Sequence, residues 1–503
     1  MRRVAVAVLL ASVVAVGLHW GTFVAGGSDS YCYLHQAQAW ASGRLQVPEP
    51  LVLEAPWPDA PLTFTPAGHR PSPTVPGAIV PVCPAGLSIV MGAFVAIGGV
   101  GAAFLVVPLF GAVLIWATFL AGARFGPRIG LASALVAAST PVFLYQLVQP
   151  MSDVPAAALW MLAVAVVTGT RPHAPALGGL AAGAAILMRP NLFPLAMPLM
   201  LFILWRPERA WRERLLGAAT FAACVAPGCA AVAAIQRALY GSALSSGYGS
   251  LEAFFSLDHV VPNATRYVSW LSQTHTPVWV LAAASPLLLP GALTRLFLAL
   301  FLLNLACYLP YVVFDDWSYL RFLLPTIPLL VILVIASVDA VCRRCAPATA
   351  RTAVTVVAVL LAVFWVREAG ERQVFRLHAL EARYERAGTF VDRRLPPNAV
   401  VITSWESGSV RFYSGRRTLV WDVMDPAWLD RAMDYLRMRG FEPFLLFETW
   451  EEPLFRQRFS AGSPIGRLDW PPAAEVASQV RVYRPDDRDR YLRGIQGPTE
   501  YAR

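Results

Sequence analysis

The chain has 503 residues, 56% of them hydrophobic and only 15% charged, with a mean hydropathy of +0.52, whereas soluble domains carry about 25% charged residues. Residues 1–370 hold 20 Arg and 13 Asp or Glu, while residues 371–503 hold 21 Arg and 19 Asp or Glu, so a membrane domain precedes an ordinary soluble one. That division excludes a cytosolic enzyme, a nucleic-acid binder, a disulfide scaffold and a disordered chain.

The formal net charge of +9 rests on 41 basic residues, all of them Arg. In a polytopic protein such an excess mostly sets orientation, because Arg is held on the cytoplasmic side. Of the seven Cys, Cys224, Cys229 and Cys307 sit in apolar runs and read as packing residues. Cys342 and Cys345 form a C-x-x-C without a second pair or a His, which reads as a helix-end loop.

In chain order, residues 1–25 open with Arg2 and Arg3 and run apolar, as a signal peptide or a first span would; the many spans that follow favour a retained anchor. Loop 26–75 carries Asp29, then Ser30, Tyr31, Cys32 and Tyr33. Next comes a helical stretch with apolar Leu34, Ala37 and Ala41, suited to lying at the membrane interface, and then a Pro-rich run to Pro76. Further apolar stretches lie near 76–98, 101–121, 129–148, 154–169, 174–188, 190–205, 214–235, 277–290, 293–313, 321–340 and 352–366. A span needs about 20 apolar residues, and Pro76, Pro81 and Pro84 would interrupt one at 76–98. If 76–98 only dips into the interface, Arg124, Arg128, Arg171, Arg206, Arg209, Arg212, Arg214, Arg295, Arg343, Arg344 and Arg351 all fall inside. The acids Asp29, Glu49, Glu54, Asp59, Asp153, Glu252, Asp258, Asp315 and Asp316 then fall outside. The expected architecture is therefore a polytopic α-helical membrane domain, residues 1–370, of about eleven spans plus one juxtamembrane helix. A soluble extracytoplasmic α/β domain, residues 371–503, follows it.

Between these, loop 236–276 is long and holds Tyr240, Tyr248, Tyr267 and Trp270, and Asn263, Ala264 and Thr265 match a glycosylation sequon, a weak signal. Gly179 and Gly183 form a small-x-x-x-small face for helix packing, which also accounts for Gly98, Gly99 and Gly101. In the tail, 371–394 and 426–439 are expected helices, and 399–403, 418–421, 444–447 and 480–483 expected strands. No internal repeat is visible.

Ionisable groups at span ends are the functional candidates. Asp29 lies just past the first span. Asp153 opens a later one, where helix capping by Ser152 or Asp153 is the plain structural alternative. Arg189, beside Asn191, stands on the outer face against the charge rule, and so does Arg321, whose structural alternative is a pair with Asp315 or Asp316. A guanidinium suits phosphate. His69 and Arg70 in the first loop, Tyr31 and Tyr33 as an aromatic wall, and Asp316 with Tyr319 complete the expected substrate-binding set.

These features together resemble the GT-C superfamily of polyprenyl-phosphate-sugar glycosyltransferases, nearest to protein mannosyltransferases and aminoarabinose transferases. The resemblance covers roughly residues 1–340. It rests on the acidic, tyrosine-containing loop after the first span, the run Pro84, Ala85, Gly86 and Leu87, the outer Asp153, and Tyr319 to Pro325 at a late span. Family members often show an Asp-Glu pair in the first loop, whereas Ser30 follows Asp29 here, and Asp153 is the best replacement for the missing carboxylate. The resemblance implies transfer of a sugar from a polyprenyl-phosphate donor to an extracytoplasmic lipid, glycan or protein acceptor at the bacterial cytoplasmic membrane. Phosphate leaves readily once its charge is stabilised, by Arg321 with Arg189, and one carboxylate can serve as base. A divalent metal between Asp29 and Asp153 is the one cofactor these acids allow, though two acids far apart in sequence do not establish it. The competing expectations are a transporter or flippase of lipid-linked sugars and a non-catalytic envelope assembly protein.

Overall fold

The computed structural model describes residues 2–249, 251–345, 348–495 and 497–502. Among these, three helices are long and apolar enough to cross a membrane: Val100–Gly122, Trp211–Tyr240 and Ala350–Glu371. Two bent pairs raise the number to five if each counts as one span. They are Pro127–Ala138 with Pro141–Leu147, bent by 63°, and Trp317–Leu323 with Ile327–Arg344, bent by 86°. Shorter apolar helices fill the bundle, among them Arg3–His19, Asp153–Val167, Ala174–Met188, Pro190–Leu204 and Ala292–Tyr308. The expected stretch 277–290 is three short pieces instead, Pro277–Trp279, Val280–Ala283 and Ser285–Leu288; Pro286 cannot donate the hydrogen bond that would join them into one helix.

The segment 76–98 is a strand followed by the helix Ala85–Gly98, which starts at Pro84. At 14 residues this helix is about 21 Å long, short of the roughly 30 Å hydrocarbon core. The expected small-residue packing is realised: a Cβ on Gly228 would stand 2.1 Å from the Gly183 carbonyl oxygen, so the helices Ala174–Met188 and Trp211–Tyr240 touch backbone to backbone.

Beyond the bundle, the first loop forms a small antiparallel sheet of β1 (Val47–Pro48), β2 (His69–Pro71) and β3 (Ala78–Pro81), in the order β1-β3-β2. The C-terminal region is α/β. Its strands are β4 (Ala399–Ile402), β5 (Arg417–Leu419), β6 (Glu442–Glu448), β7 (Ala474–Val476), β8 (Val480–Tyr483) and β9 (Glu500–Ala502), ordered β5-β4-β6-β8-β7-β9. β5, β4 and β6 are parallel, and β8 runs against β6. Four of the six match the expected strands; the short β7 and β9 escaped a reading that looks for longer β-branched runs.

The first loop and this sheet share one apolar core, in which Leu51, Trp57 and Phe64 pack with Val400, Ile402, Leu419 and Trp421. Buried Glu49 accepts from Arg411 at 3.1 Å and from Arg417 at 2.9 Å. The two segments therefore lie on the same end of the bundle. A disulfide joins Cys32 of the first loop to Cys83 in the segment 76–98, a pairing invisible in a set of seven Cys. Disulfides persist in oxidising compartments, which agrees with an extracytoplasmic loop. The Cys345 side chain of the C-x-x-C lies outside the described residues.

Candidate functional site

Two helices begin with an aspartate: Asp29–Ser42 and Asp153–Val167. A carboxylate in the first turn is favoured by the helix dipole. Neither side chain is spent on capping. Ser152, the residue before Asp153, makes no side-chain cap bond; its Oγ instead lies 2.7 Å from the Tyr33 hydroxyl. The capping alternative is thereby set aside, and Asp153 points to Arg189.

The arginines come from broken segments. Arg189 is extended, φ −145° and ψ 99°, between the helix Ala174–Met188 and the 3-10 turn Pro190–Leu195. Arg321 sits in the 3-10 segment Trp317–Leu323, at the 86° bend. Asp153 Oδ1 accepts from Arg189 Nη1 at 2.7 Å, with the Asp153 side chain 2% exposed. Asp29 Oδ2 accepts from Arg321 Nη1 at 3.1 Å, with Asp29 34% and Arg321 16% exposed. Phe322 carries both guanidinium groups over its ring, Arg189 at 5.5 Å and Arg321 at 5.4 Å from the centroid. Asp153 and Asp29 both act electrostatically on Arg321, so the four charges form one site.

The two pairs differ in what they can do. The inner pair is closed and mutually satisfied. The outer one is half-open: Asp29 reaches solvent, and Arg321 Nε is buried with no hydrogen-bond partner. A buried, unpaired donor of a charged group is costly, and an anionic oxygen from a ligand would satisfy it.

Other expected site residues separate into those at the cluster and those away from it. Tyr33 lies within electrostatic reach of Asp29, Asp153 and Arg189. Tyr319 stacks on Phe314 with centroids 3.7 Å apart and lies under Arg321. Asn191 hydrogen-bonds the Tyr308 hydroxyl beside Arg189. Asp316 is spent locally, accepting from the Ser318 amide at 2.8 Å, and Asp315 pairs with Arg266, so neither is the Arg321 partner that the sequence had offered.

Tyr31, His69 and Arg70 are not brought to the cluster. Tyr31 is fully buried, and the helix Ser407–Ser414 presses so closely on it that a Cβ on Gly408 would stand 2.3 Å from its ring. His69 Nε2 lies 2.9 Å from His35 Nδ1. Burial first, and Arg411 second, pull His35 down to about 4; burial and then His35 hold His69 well below the usual histidine range. Arg70 donates to the Ser246 and Gly247 carbonyls and leans on Tyr240. These residues join the first loop to its neighbours. The expected interfacial helix is likewise sandwiched rather than surface-lying, with Leu34 and Ala37 buried. The Asn263 amide donates to the Leu309 and Tyr311 carbonyls, so the sequon is buried structure.

Tyr248 enters the sequence reading only as one aromatic residue of loop 236–276, outside the expected site. Its hydroxyl lies within electrostatic reach of Asp29, Tyr33, Arg321 and Arg189, but a tyrosine in a polar loop stands out by no pattern.

For a metal between Asp29 and Asp153, the donor set fits poorly. Each acid already faces a guanidinium, and among the described residues no group of three or more His, Cys, Asp or Glu comes together that could hold an ion.

Residues 84–231 match the family model for dolichyl-phosphate-mannose-protein mannosyltransferase, the segment that supplies Asp153 and Arg189. No curated protein sequence matches the chain. ArnT from Cupriavidus metallidurans, bound to undecaprenyl phosphate, aligns over 91% of this chain and 94% of its own at 12% identity, with a TM-score of 0.57. The oligosaccharyltransferase of Archaeoglobus fulgidus, tethered with an acceptor peptide, aligns over 93% of this chain and 72% of its own at 11% identity, TM-score 0.59. Archaeoglobus fulgidus AglB, in complex with an inhibitory peptide and a dolichol-phosphate, aligns over the same shares at 9% identity, TM-score 0.57. The chain has the GT-C membrane fold, as the sequence resemblance implied.

Proposed function

We propose that the chain is an integral-membrane glycosyltransferase that moves a sugar from a polyprenyl-phosphate donor to an extracytoplasmic acceptor, with inversion at the anomeric carbon. The observation that carries this reading is the half-open Asp29–Arg321 pair, a solvent-reaching carboxylate 3.1 Å from a guanidinium whose Nε has no partner. Arg321 binds the donor phosphate through its free donor edge, and the closed Asp153–Arg189 pair fixes the shape of the site beside it. Asp29 accepts the proton of the acceptor hydroxyl as that oxygen forms its bond to the anomeric carbon. The carbon–phosphate oxygen bond breaks, and the departing polyprenyl phosphate keeps the electron pair. Its charge is stabilised by Arg321, with Arg189 nearby. No step is routed through a metal.

The solved relatives with this fold hold undecaprenyl phosphate or dolichol-phosphate, which supports a lipid-phosphate donor here. Residues 1–370 form the membrane domain and 371–503 the outer domain of this reading, with Arg206, Arg209, Arg212 and Arg214 on the cytoplasmic side of a bacterial inner membrane. Purified chain in detergent, given a panel of polyprenyl-phosphate sugars and envelope acceptors, should release labelled sugar from one donor. Label that stays on every lipid while crossing vesicles would favour the transporter reading.

A further inference from the structure

We infer that the end of the bundle away from Asp29 and Asp153 is a binding site for an anionic phospholipid headgroup, built from arginines that three helix-connecting turns bring together.

The turns are 123–126, 168–173 and 205–210. They carry Arg124, Arg171, Arg206 and Arg209, and Arg212 and Arg214 follow in the first turn of the helix Trp211–Tyr240. The turns meet at the carboxyl end of the helix Asp153–Val167, about 22 Å along it from Asp153. A helix ends there in unpaired carbonyls with partial negative charge, and these draw the arginines in. Arg206 donates to the Val167 carbonyl at 2.7 Å and to the Gly169 carbonyl at 2.9 Å, and Arg124 to the Ala165 carbonyl at 3.3 Å. Arg209 donates to the Thr170 carbonyl at 3.4 Å, and Arg214 to the Arg209 carbonyl at 2.7 Å.

Carbonyl contacts fix a guanidinium without neutralising it. At the other end of the bundle Arg189 and Arg321 each face an aspartate. Among the described residues none of these six arginines pairs with a carboxylate, and the side chains of Arg171 and Arg212 make no hydrogen bond. Glu208 and Glu213, the acids of these segments, are exposed and pair with no arginine. Like charges held so close repel one another, and Arg209 and Arg124 both act on Arg206. The partner that this end of the molecule calls for is an anion.

The surroundings decide which anion. Val100–Gly122 and Trp211–Tyr240, two of the helices long and apolar enough to cross a membrane, end and begin at these turns. The arginines therefore stand at headgroup depth. Trp205 is 72% and Trp211 64% exposed, and neither indole N–H has a partner among the described residues, as suits rings at a membrane–water interface. Arg212 lies over the Trp211 ring at 5.6 Å. Leu215 and Leu216, next along that helix, are exposed, and so are Leu177 and Leu180 on the neighbouring helix Ala174–Met188. A soluble anion would use the arginines alone. An anionic phospholipid uses the arginines for its phosphate, the indoles at its headgroup and the leucines for its acyl chains.

In the orientation proposed above this end faces the cytoplasmic leaflet, whose surface is negative. The preference of Arg for that side accounts for the number of arginines. It does not account for their convergence on one helix end between two exposed tryptophans.

Native mass spectrometry of the full chain in neutral detergent, titrated with phosphatidylglycerol and with phosphatidylcholine, reads the site directly. Phosphatidylglycerol should bind at least about tenfold more tightly. An arginine near an anionic surface contributes about fivefold in affinity. Arg171→Gln/Arg209→Gln/Arg212→Gln leaves Arg124 and Arg206 on the helix end and should abolish the preference, whereas Lys at the same three positions should keep it. Arg212→Gln alone, which breaks no hydrogen bond, should weaken phosphatidylglycerol about fivefold with the melting temperature unchanged in phosphatidylcholine.

Equal affinity for the two lipids, or a preference that survives in the triple glutamine variant, overturns the site. So does a rise in melting temperature with inorganic pyrophosphate as large as that with phosphatidylglycerol, which would assign the arginines to a soluble anion. None of these readouts involves sugar transfer, so the lipid site and the transferase reading stand or fall separately.

Discussion

Arg321 Nη1 lies 3.1 Å from Asp29 Oδ2 although 292 residues separate them in the chain. One end of this pair opens a helix after the first apolar segment, and the other stands at an 86° break late in the bundle. Discontinuous helices at a membrane site release polar groups toward a ligand. The pair is thus a product of the fold, and it is the place where the chain offers both a solvent-reaching carboxylate and an unsatisfied cationic donor.

Arg321→Ala should impair donor use far more than folding. A hydrogen bond to a charged group contributes about 1.5–3 kcal/mol, so the apparent donor affinity should fall roughly 10- to 150-fold. Titration of the lipid-phosphate donor checks this, with a melting curve to show that the variant is folded. Unchanged donor affinity would remove Arg321 from the phosphate site.

Asp153 and Arg189 should behave as a stability unit. Removing one partner leaves a buried charge uncompensated, which costs about 3–5 kcal/mol. Asp153→Asn and Arg189→Gln should each lower the melting temperature clearly. The double variant should be more stable than their sum predicts. Additive losses would mean that the pair is not coupled.

The C-terminal region should lose stability as pH rises. Burial pushes Glu406 up to about 8, with Glu448 and Glu451 adding repulsion and Ser409 and Arg383 opposing. A carboxyl whose folded value is raised holds a proton that the unfolded chain has already released. Its contribution is complete below the ordinary carboxylate range and declines as pH rises toward about 8, by at most about 1.4 kcal/mol per pH unit. Glu451, raised to about 7 by burial, adds to the same trend. Melting curves from pH 5 to 9 should show the decline, and Glu406→Gln should flatten part of it. A pH-independent midpoint in the wild type would contradict the assignment.

Orientation can be read from covalent chemistry and from fusions. Non-reducing peptide mapping should recover Cys32 linked to Cys83, and reporters fused after residues 210 and 400 should report opposite sides. Free thiols at both positions, or two reporters on one side, would contradict an extracytoplasmic first loop.

The sequence made the charged members of the site legible and left their partners hidden. Asp29, Asp153, Arg189 and Arg321 stand out because an ionised group at the end of an apolar span is expensive and needs a reason. Which acid meets which arginine depends on helix breaks, and hydropathy does not report those. His69 and Arg70 attracted attention as polar residues in an outer loop, where polarity is ordinary; the structure spends them on packing and carbonyl contacts. The C-terminal strands were legible where β-branched and aromatic runs are long, as at 444–447 and 480–483, and not in the three-residue β7 and β9.

The most direct test of the account is the turnover of Asp29→Asn, with labelled sugar supplied on the polyprenyl phosphate that the wild-type chain uses. The substitution keeps shape and hydrogen bonding and cannot accept a proton. The account predicts a loss of at least about 10²-fold in kcat, the lower end for removing general-base catalysis, with the melting temperature and donor affinity nearly retained. Near-normal turnover in Asp29→Asn would contradict Asp29 as the base and with it the proposed mechanism.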